Sequence, residues 1–294
     1  MAQRCGVRSV RMKLFTVILV AMIGIGASAA PVRDGPVVAE LIADTLTVTP
    51  GQPFTIALRM QVDSPWHIYW INPGDSGLAP SLDWTLPEGL AVGDMQHPPP
   101  LAIPTPPFMT YGHTGDVVFL MEVRPPADLS GPTVTLSAEV DWLVCHELCI
   151  PGFAEVELSL PVRAEPGEPS EHAEIIAAAR SQRPIEGVDW ALTAQVQADR
   201  LILAASPPTD DALPIDSAQF FPYSRTVIRH AAPQTWHAGG GGGRLELVVR
   251  DAAEPPEYLS GVLVVQRGGT SLALRVNIPV AGTFSSRPAN PKGT

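Results

Sequence analysis

The chain has 294 residues and a net charge of −11, with 32 prolines, 25 glycines and only three cysteines. Proline and glycine at this density, among short runs of valine and leucine, exclude an architecture of long helices and point to strands and turns. The acid excess excludes nucleic acid and anionic membranes as partners.

Residues 1–29 read as a cleaved export signal. Arg4, Arg8, Arg11 and Lys13 precede the apolar run 14–25, and Ala27-Ser28-Ala29 supplies small residues for cleavage. The run is too short for a permanent span, and no later stretch reaches about 18 apolar residues, so no membrane span is expected in the mature chain. Cleavage near Ala29 removes Cys5 and takes the charge from −11 to −15, since four basic and no acidic residues leave with the signal. The mature chain of about 265 residues is long for one sandwich and suits two domains.

Residues 30–163 read as an immunoglobulin-like β-sandwich, part of an all-β fold. Period-2 alternation marks strands at Leu46 and Val48, and again at Phe54, Ile56, Leu58 and Met60, with breaks at Pro50-Gly51, Pro73-Gly74 and Pro87-Glu88-Gly89. His97-Pro98-Pro99-Pro100, continuing through Pro104, Pro106 and Pro107, is expected as a stiff surface loop, because proline cannot donate to a sheet ladder. It is a candidate lid. Val134, Leu136, Ala138 and Val140 then lead into Trp142 and Val144, while Phe153, Val156, Leu158 and Leu160 lead away. Residues 164–185 are expected as a linker and a short helix, with Ser170 capping a helix from Glu171 to about Gln182 that Pro184 closes. Residues 186–294 are expected as a second, smaller β-domain with strands at 190–196, 201–205, 226–228, 245–250, 262–266 and 272–278. Its glycine run 239–243 reads as a flexible hairpin connection.

Cys145 and Cys149 are the only cysteines left after export, in a compartment where disulfides persist. Continuous strand would place their Cα atoms about 13 Å apart, whereas a disulfide needs roughly 4.4–6.8 Å. A three-residue turn at His146-Glu147-Leu148 would fold them opposite each other. A close dithiol can pass two electrons to a disulfide through a mixed intermediate. Spacing alone leaves this redox reading and a structural staple both open. Glu147 and Asp141 lie close in sequence, and no Lys or Arg is nearer than Arg124 and Arg163, so only His146 would lower a thiol pKa locally.

The string Asp141-Trp142-Leu143-Val144-Cys145-His146-Glu147-Leu148-Cys149-Ile150-Pro151-Gly152 resembles the active-site hairpin of the periplasmic N-terminal domain of the DsbD/ScsB thiol:disulfide interchange proteins. Trp66-His67-Ile68-Tyr69-Trp70-Ile71-Asn72-Pro73-Gly74-Asp75-Ser76-Gly77 and Thr110-Tyr111-Gly112-His113 agree with it. Phe220-Phe221-Pro222 and Ala232-Pro233-Gln234 are similar to the second subdomain of the ScsB branch. The resemblance implies a periplasmic domain that takes electrons from a thioredoxin-like donor and hands them to periplasmic disulfide isomerases or reductases, with no cofactor. It further implies that Cys149 forms the mixed disulfide and Cys145 resolves it. A cap through Pro107, Phe108, Met109, Thr110, Tyr111 and Gly112 would shield the pair, with Tyr69 packed beside it.

Three departures qualify the resemblance. Full family members continue into a membrane domain and a thioredoxin domain, and the sequence ends at Thr294 without them, so the electrons are expected to come from a separate protein. The DsbD branch has acidic residues where Phe108 and Met109 stand. The Cys-x-x-x-Cys spacing fits the ScsB branch rather than the wider DsbD spacing.

Two other function classes stay open. A soft Cu(I) site would use Cys145, His146 and Cys149, with Met109 or His113, and the ScsB branch is associated with copper tolerance. A structural adaptor would carry a disulfide that never cycles. His67, His97 and His113 read as surface or packing residues, and Trp66, Trp70, Trp84 and Trp142 as core or cap-supporting residues. The second domain shows no catalytic constellation.

Overall fold

The computed structural model describes residues 30–187, 189–197, 200–208, 213–251 and 256–282. The expected export signal lies outside the described residues. The fold is all-β, with an immunoglobulin-like sandwich followed by a second β-domain. The sandwich uses β1 (Val32–Asp34), β2 (Val37–Ala43), β3 (Phe54–Val62), β4 (His67–Gly74), β5 (Ser81–Thr85), β6 (Ala91–Val92), β7 (Leu101–Thr105), β8 (Phe108–His113), β9 (Gly115–Arg124), β10 (Thr133–Cys145) and β11 (Cys149–Pro161). One sheet runs β1-β2-β3-β9-β6; the other runs β11-β10-β4-β8-β7, with β5 also paired to β10.

Alternation explains the layering. On β10, Val134, Leu136, Ala138, Val140, Trp142 and Val144 point inward, as do Ala154, Val156, Leu158 and Leu160 on β11, and all ten are buried. They meet Leu41, Ile56, Leu58, Met60, Phe119 and Met121 of the facing sheet in one core. The opposite face of that facing sheet is covered by α1 (Ala173–Ser181), whose Ile176 packs on Ile42, Ala57, Val118 and Leu120.

The second domain follows with β12 (Ile185–Glu186), β13 (Ala191–Gln197), β14 (Arg200–Ser206), β15 (Ser217–Pro222), β16 (Thr235–Gly239), β17 (Gly242–Val248), β18 (Tyr258–Arg267) and β19 (Thr270–Ala281). These form a sheet in the order β15-β18-β19-β13-β14-β17-β16, with β12 beside β19. Its own core centres on Leu203, Phe220, Leu245, Leu263 and Leu274.

Several local expectations change. Leu46 and Val48 lie outside any strand; Val48 makes only an isolated bridge to Val162, because residues 44–49 bond instead along 165–170. The presumed linker is thereby pinned to the sandwich. The proline-rich loop is in part a strand: β7 pairs with β8 and places Pro104 opposite Met109. Because β7 is the last strand of its sheet, proline's missing N–H costs no ladder bond there. The expected break at Pro73-Gly74 falls at the end of β4.

Ser170 does not cap the helix. The N-cap is His172, and the Ser170 hydroxyl donates to the Ala43 carbonyl while accepting from His172 N–H. Residues 226–228 form no strand; only Ile228 bridges, to Val249. The glycine run is a tight turn rather than a flexible link. Gly240 and Gly241 take φ of 59° and 82° between the paired Gly239 and Gly242, a left-handed pair that favours glycine.

His97 and His113 flank Phe119 with ring centroids 5.0 and 5.8 Å away, both edge-on. Burial pushes His97 down to about 4; burial, with His97 adding to it, pushes His113 down to about 3. Both rings are therefore neutral in the folded state at neutral pH, while the unfolded chain titrates near 6.5. The unfolded state binds more protons below that value, so this contribution to stability is intact above about pH 6.5 and is lost as the pH falls toward 4 and 3. Denaturant unfolding at pH 7.5 and pH 5 is expected to show lower stability at pH 5, and His113→Phe is expected to reduce that difference.

Candidate redox site

The turn at residues 146–148 makes Cys145 and Cys149 direct cross-strand partners, and their Cα atoms lie 4.2 Å apart in a disulfide. His146 N–H closes the turn on the Leu148 carbonyl at 3.2 Å. Pro151 is accommodated because β11 is the outer strand of its sheet. Gly152 is required by its neighbour, since a Cβ there would come within 2.3 Å of the Trp142 indole. At the root of the hairpin, Phe153 N–H donates to Asp34 at 2.9 Å.

The two sulfurs differ in access. Cys145 is 3% exposed, whereas Cys149 is exposed at the tip beside exposed Leu148 and Ile150. On the inner side, β4 pairs with β10 so that His67 stands opposite Cys145. Opposed residues share a face, and so do residues two apart on one strand, so Cys149, Cys145, His67 and Tyr69 project on the same side. The Tyr69 hydroxyl donates to Cys145 Sγ at 2.8 Å and lies 3.4 Å from Cys149 Sγ. Burial raises its pKa, which keeps the phenol protonated as a donor.

Aromatic rings line much of the rest of the surround. The His67 ring sits edge-on to Tyr69 at 5.4 Å, and its buried Nε2 has no hydrogen-bond partner among the described residues. Burial, then the nearby His146, lowers the His67 pKa and keeps its ring neutral. The His146 ring is tilted against Trp66 at 6.1 Å. Gly77, with φ of 104°, lies against the Tyr69 ring; a Cβ there would fall 2.1 Å from Tyr69 Cε1.

Among the expected site residues, Cys145, Cys149 and Tyr69 are brought together. Phe108, Met109, Thr110, Tyr111 and Gly112 form β8, in the same sheet, and Gly112 pairs with Tyr69. None of the described hydrogen bonds joins them to either sulfur. Phe108 is half exposed and Tyr111 is fully buried. Asp75 clasps the hairpin: its N–H donates to the Met109 carbonyl at 3.0 Å, and its carboxylate accepts from Met109 N–H at 2.9 Å. For a metal the grouping is poor. His146 faces Trp66, His113 is buried against Phe119, and among the described residues no cluster of three or more His, Cys, Asp or Glu is placed to hold an ion.

Sequence reasoning assigned His67 to the surface or to packing, of which packing holds, and gave no role to Asn72 or Gly77. The alternation of His67 and Tyr69 was a usable signal, since two such residues must share a face once the segment is read as a strand.

Residues 37–161 match the family described as thiol:disulfide interchange protein DsbD, N-terminal. The match covers most of the sandwich, including both cysteines. The structure is similar to the N-terminal periplasmic domain of ScsB from Proteus mirabilis, with a TM-score of 0.62 at 19% identity, covering 86% of this chain and 99% of that one. A match to the Escherichia coli adhesin FdeC has a TM-score of 0.21 at 16% identity, over 86% of this chain and 66% of that one. No curated protein sequence matches. The DsbD N-terminal match and the Cys145 to Cys149 disulfide together assign the site to thiol–disulfide redox chemistry. No helix among the described residues is long and apolar enough to cross a membrane.

The Tyr69 hydroxyl is the one side-chain donor on both sulfurs among the described hydrogen bonds. Tyr69→Phe is expected to slow reduction of the disulfide by dithiothreitol about tenfold, on the order of a lost hydrogen bond to a charged group. Gly77→Ala is expected to act in the same direction, because the added methyl displaces the ring; both are checked by following free-thiol release with time.

Proposed function

We propose that this protein relays reducing equivalents, taking electrons from a thioredoxin-like donor and passing them to periplasmic disulfide isomerases or reductases through Cys145 and Cys149. The observation that carries the reading is the opposed exposure of the two sulfurs, with Cys149 open at the tip and Cys145 buried under the Tyr69 hydroxyl. Only Cys149 is accessible to in-line attack by a partner thiolate.

The donor thiolate attacks Cys149 Sγ, the Cys145 to Cys149 bond breaks, and Cys145 leaves as a thiolate. Burial would make that thiolate costly, and the Tyr69 O–H, 2.8 Å away, offsets the cost. The donor's second thiolate then attacks its own sulfur in the mixed disulfide. The donor departs oxidised, and this protein holds two thiols. Delivery runs in reverse: the Cys149 thiolate opens the acceptor disulfide, and Cys145 attacks Cys149 Sγ. This re-forms the bond and releases the acceptor as a dithiol.

The expected cap, the hairpin of β7 and β8 clasped by Asp75, lies beside Tyr69 in the sheet and leaves Cys149 exposed. Exposed Leu148, Ile150 and Phe153 offer an apolar rim around Cys149 for the partner. The relay operates in the periplasm after removal of residues 1–29, as the basic-apolar-small layout of the leader supports.

Mixing with a partner disulfide is expected to trap a covalent complex in Cys145→Ala and none in Cys149→Ala, read on non-reducing gels; the reverse pattern overturns the assignment. A reduction potential below about −300 mV with no exchange against a thioredoxin-like donor would mark a structural staple instead.

A further inference from the structure

The backbone just beyond Tyr69 is not held by a regular ladder of its own sheet. The β4–β8 ladder is regular at Ile68 and Tyr69 and then loses register before Gly74. A bulge leaves unpaired residues and frees the strand to bend. In this stretch the second domain makes contacts with the β4 side chains. Asn72, fully buried, donates from Nδ2 to the Pro222 carbonyl at 2.7 Å and accepts from Gly74 N–H at 3.1 Å. Trp70, one residue after Tyr69 and so on the opposite face of the strand, stacks on Tyr223 at 5.5 Å and meets Phe221 edge-on at 6.3 Å. Trp70, Tyr111, Phe221, Val262 and Ala273 share one buried cluster drawn from both domains.

Farther along, Arg225 Nη2 donates to the Gly77 carbonyl at 2.5 Å, and Gly77 is the residue laid against the Tyr69 ring. The second domain presents these groups rigidly. Pro222 is in register with Gly261, where a Cβ would lie 2.2 Å from the Phe221 carbonyl, and Tyr223 N–H bonds Ser260 O at 3.0 Å. One face of residues 69–77 thus serves the disulfide while the other is fastened to the second domain.

We infer that the second domain is a positioning element for the redox site, holding residues 70–77 through Asn72, Trp70 and Arg225 and thereby keeping the Tyr69 hydroxyl on the Cys145 and Cys149 sulfurs. Asn72 and Arg225 are positioning residues, since neither touches a sulfur among the described contacts. The inference rests on the exchange reading only for its consequence; the position of Tyr69 can be measured separately.

The test uses the full mature chain with Asn72→Ala, Arg225→Met and Arg225→Lys, each alone and in a Tyr69→Phe background, after thermal unfolding has shown that each variant folds. Equilibrium with a reduced and oxidised glutathione buffer reads the disulfide. Asn72→Ala is expected to shift it toward the disulfide by about tenfold, as the buried thiolate loses its donor, and to move the pH–rate profile for reaction with oxidised glutathione to higher pH. Arg225→Met is expected to act in the same direction by less, because Arg225 is exposed, and Arg225→Lys to restore the wild-type value. In the Tyr69→Phe background these shifts are expected to vanish, which a merely destabilising role would not produce. Absorbance titration of the phenol, assigned to Tyr69 by difference from Tyr69→Phe, is expected to fall toward its ordinary range in Asn72→Ala. An unchanged Tyr69 titration in both Asn72→Ala and Arg225→Met, or shifts of the same size without the Tyr69 hydroxyl, would overturn the inference. No glutathione exchange by the wild-type chain, together with an altered Tyr69 titration in Asn72→Ala, would defeat the exchange reading and leave the positioning role standing.

Discussion

The register of β10 is the constraint on which both the core and the site depend. Its central part pairs with β11 on one side and β5 on the other, and its last two residues turn to β4, where Cys145 meets His67. Side chains on a strand alternate with a period of two, so a slip by one residue would turn Val134, Leu136, Val140 and Trp142 outward. The same slip would separate Cys145 from Cys149. Packing of the sandwich and closure of the disulfide therefore select one alignment.

That alignment gives two chemically similar sulfurs different environments. Cys145 lies buried between Cys149 and His67 on a face shared with Tyr69, while Cys149 sits past the turn on an outer strand. With a neutral imidazole and a phenol rather than a cation beside it, a thiolate at Cys145 is stabilised mainly by hydrogen bonding. The hydroxyl that does this work is held from behind, by a bulged stretch of β4 whose own ladder has given out. The second domain, with its separate core, is joined to the sandwich at that stretch.

Much was readable in the chain. The sandwich strands, the three-residue turn and the cysteine pairing were legible because short-range signals determine them: alternation, turn residues and the limited reach of a disulfide. The Leu46 strand and the helix cap at Ser170 failed for one reason. Residues 44–49 and 165–170 satisfy their polar groups on each other, a pairing across more than a hundred residues that no local pattern encodes. Pro104 in β7 misled in the opposite way, since proline excludes a strand only where both edges must be paired. Asn72 and Gly77 stood in plain sight within a motif, yet their roles required knowing what packs on them.

By itself, then, the amino-acid sequence determined an all-β chain with two cysteines at a hairpin tip, since residue volume, turn chemistry and chain geometry act over a few residues. Only the tertiary structure decided which sulfur is buried, that His67 and Tyr69 share its face, and that Pro222 and Arg225 reach the strand behind them. Those relations join residues up to about 150 positions apart, and they exist only once two sheets and a second domain have packed.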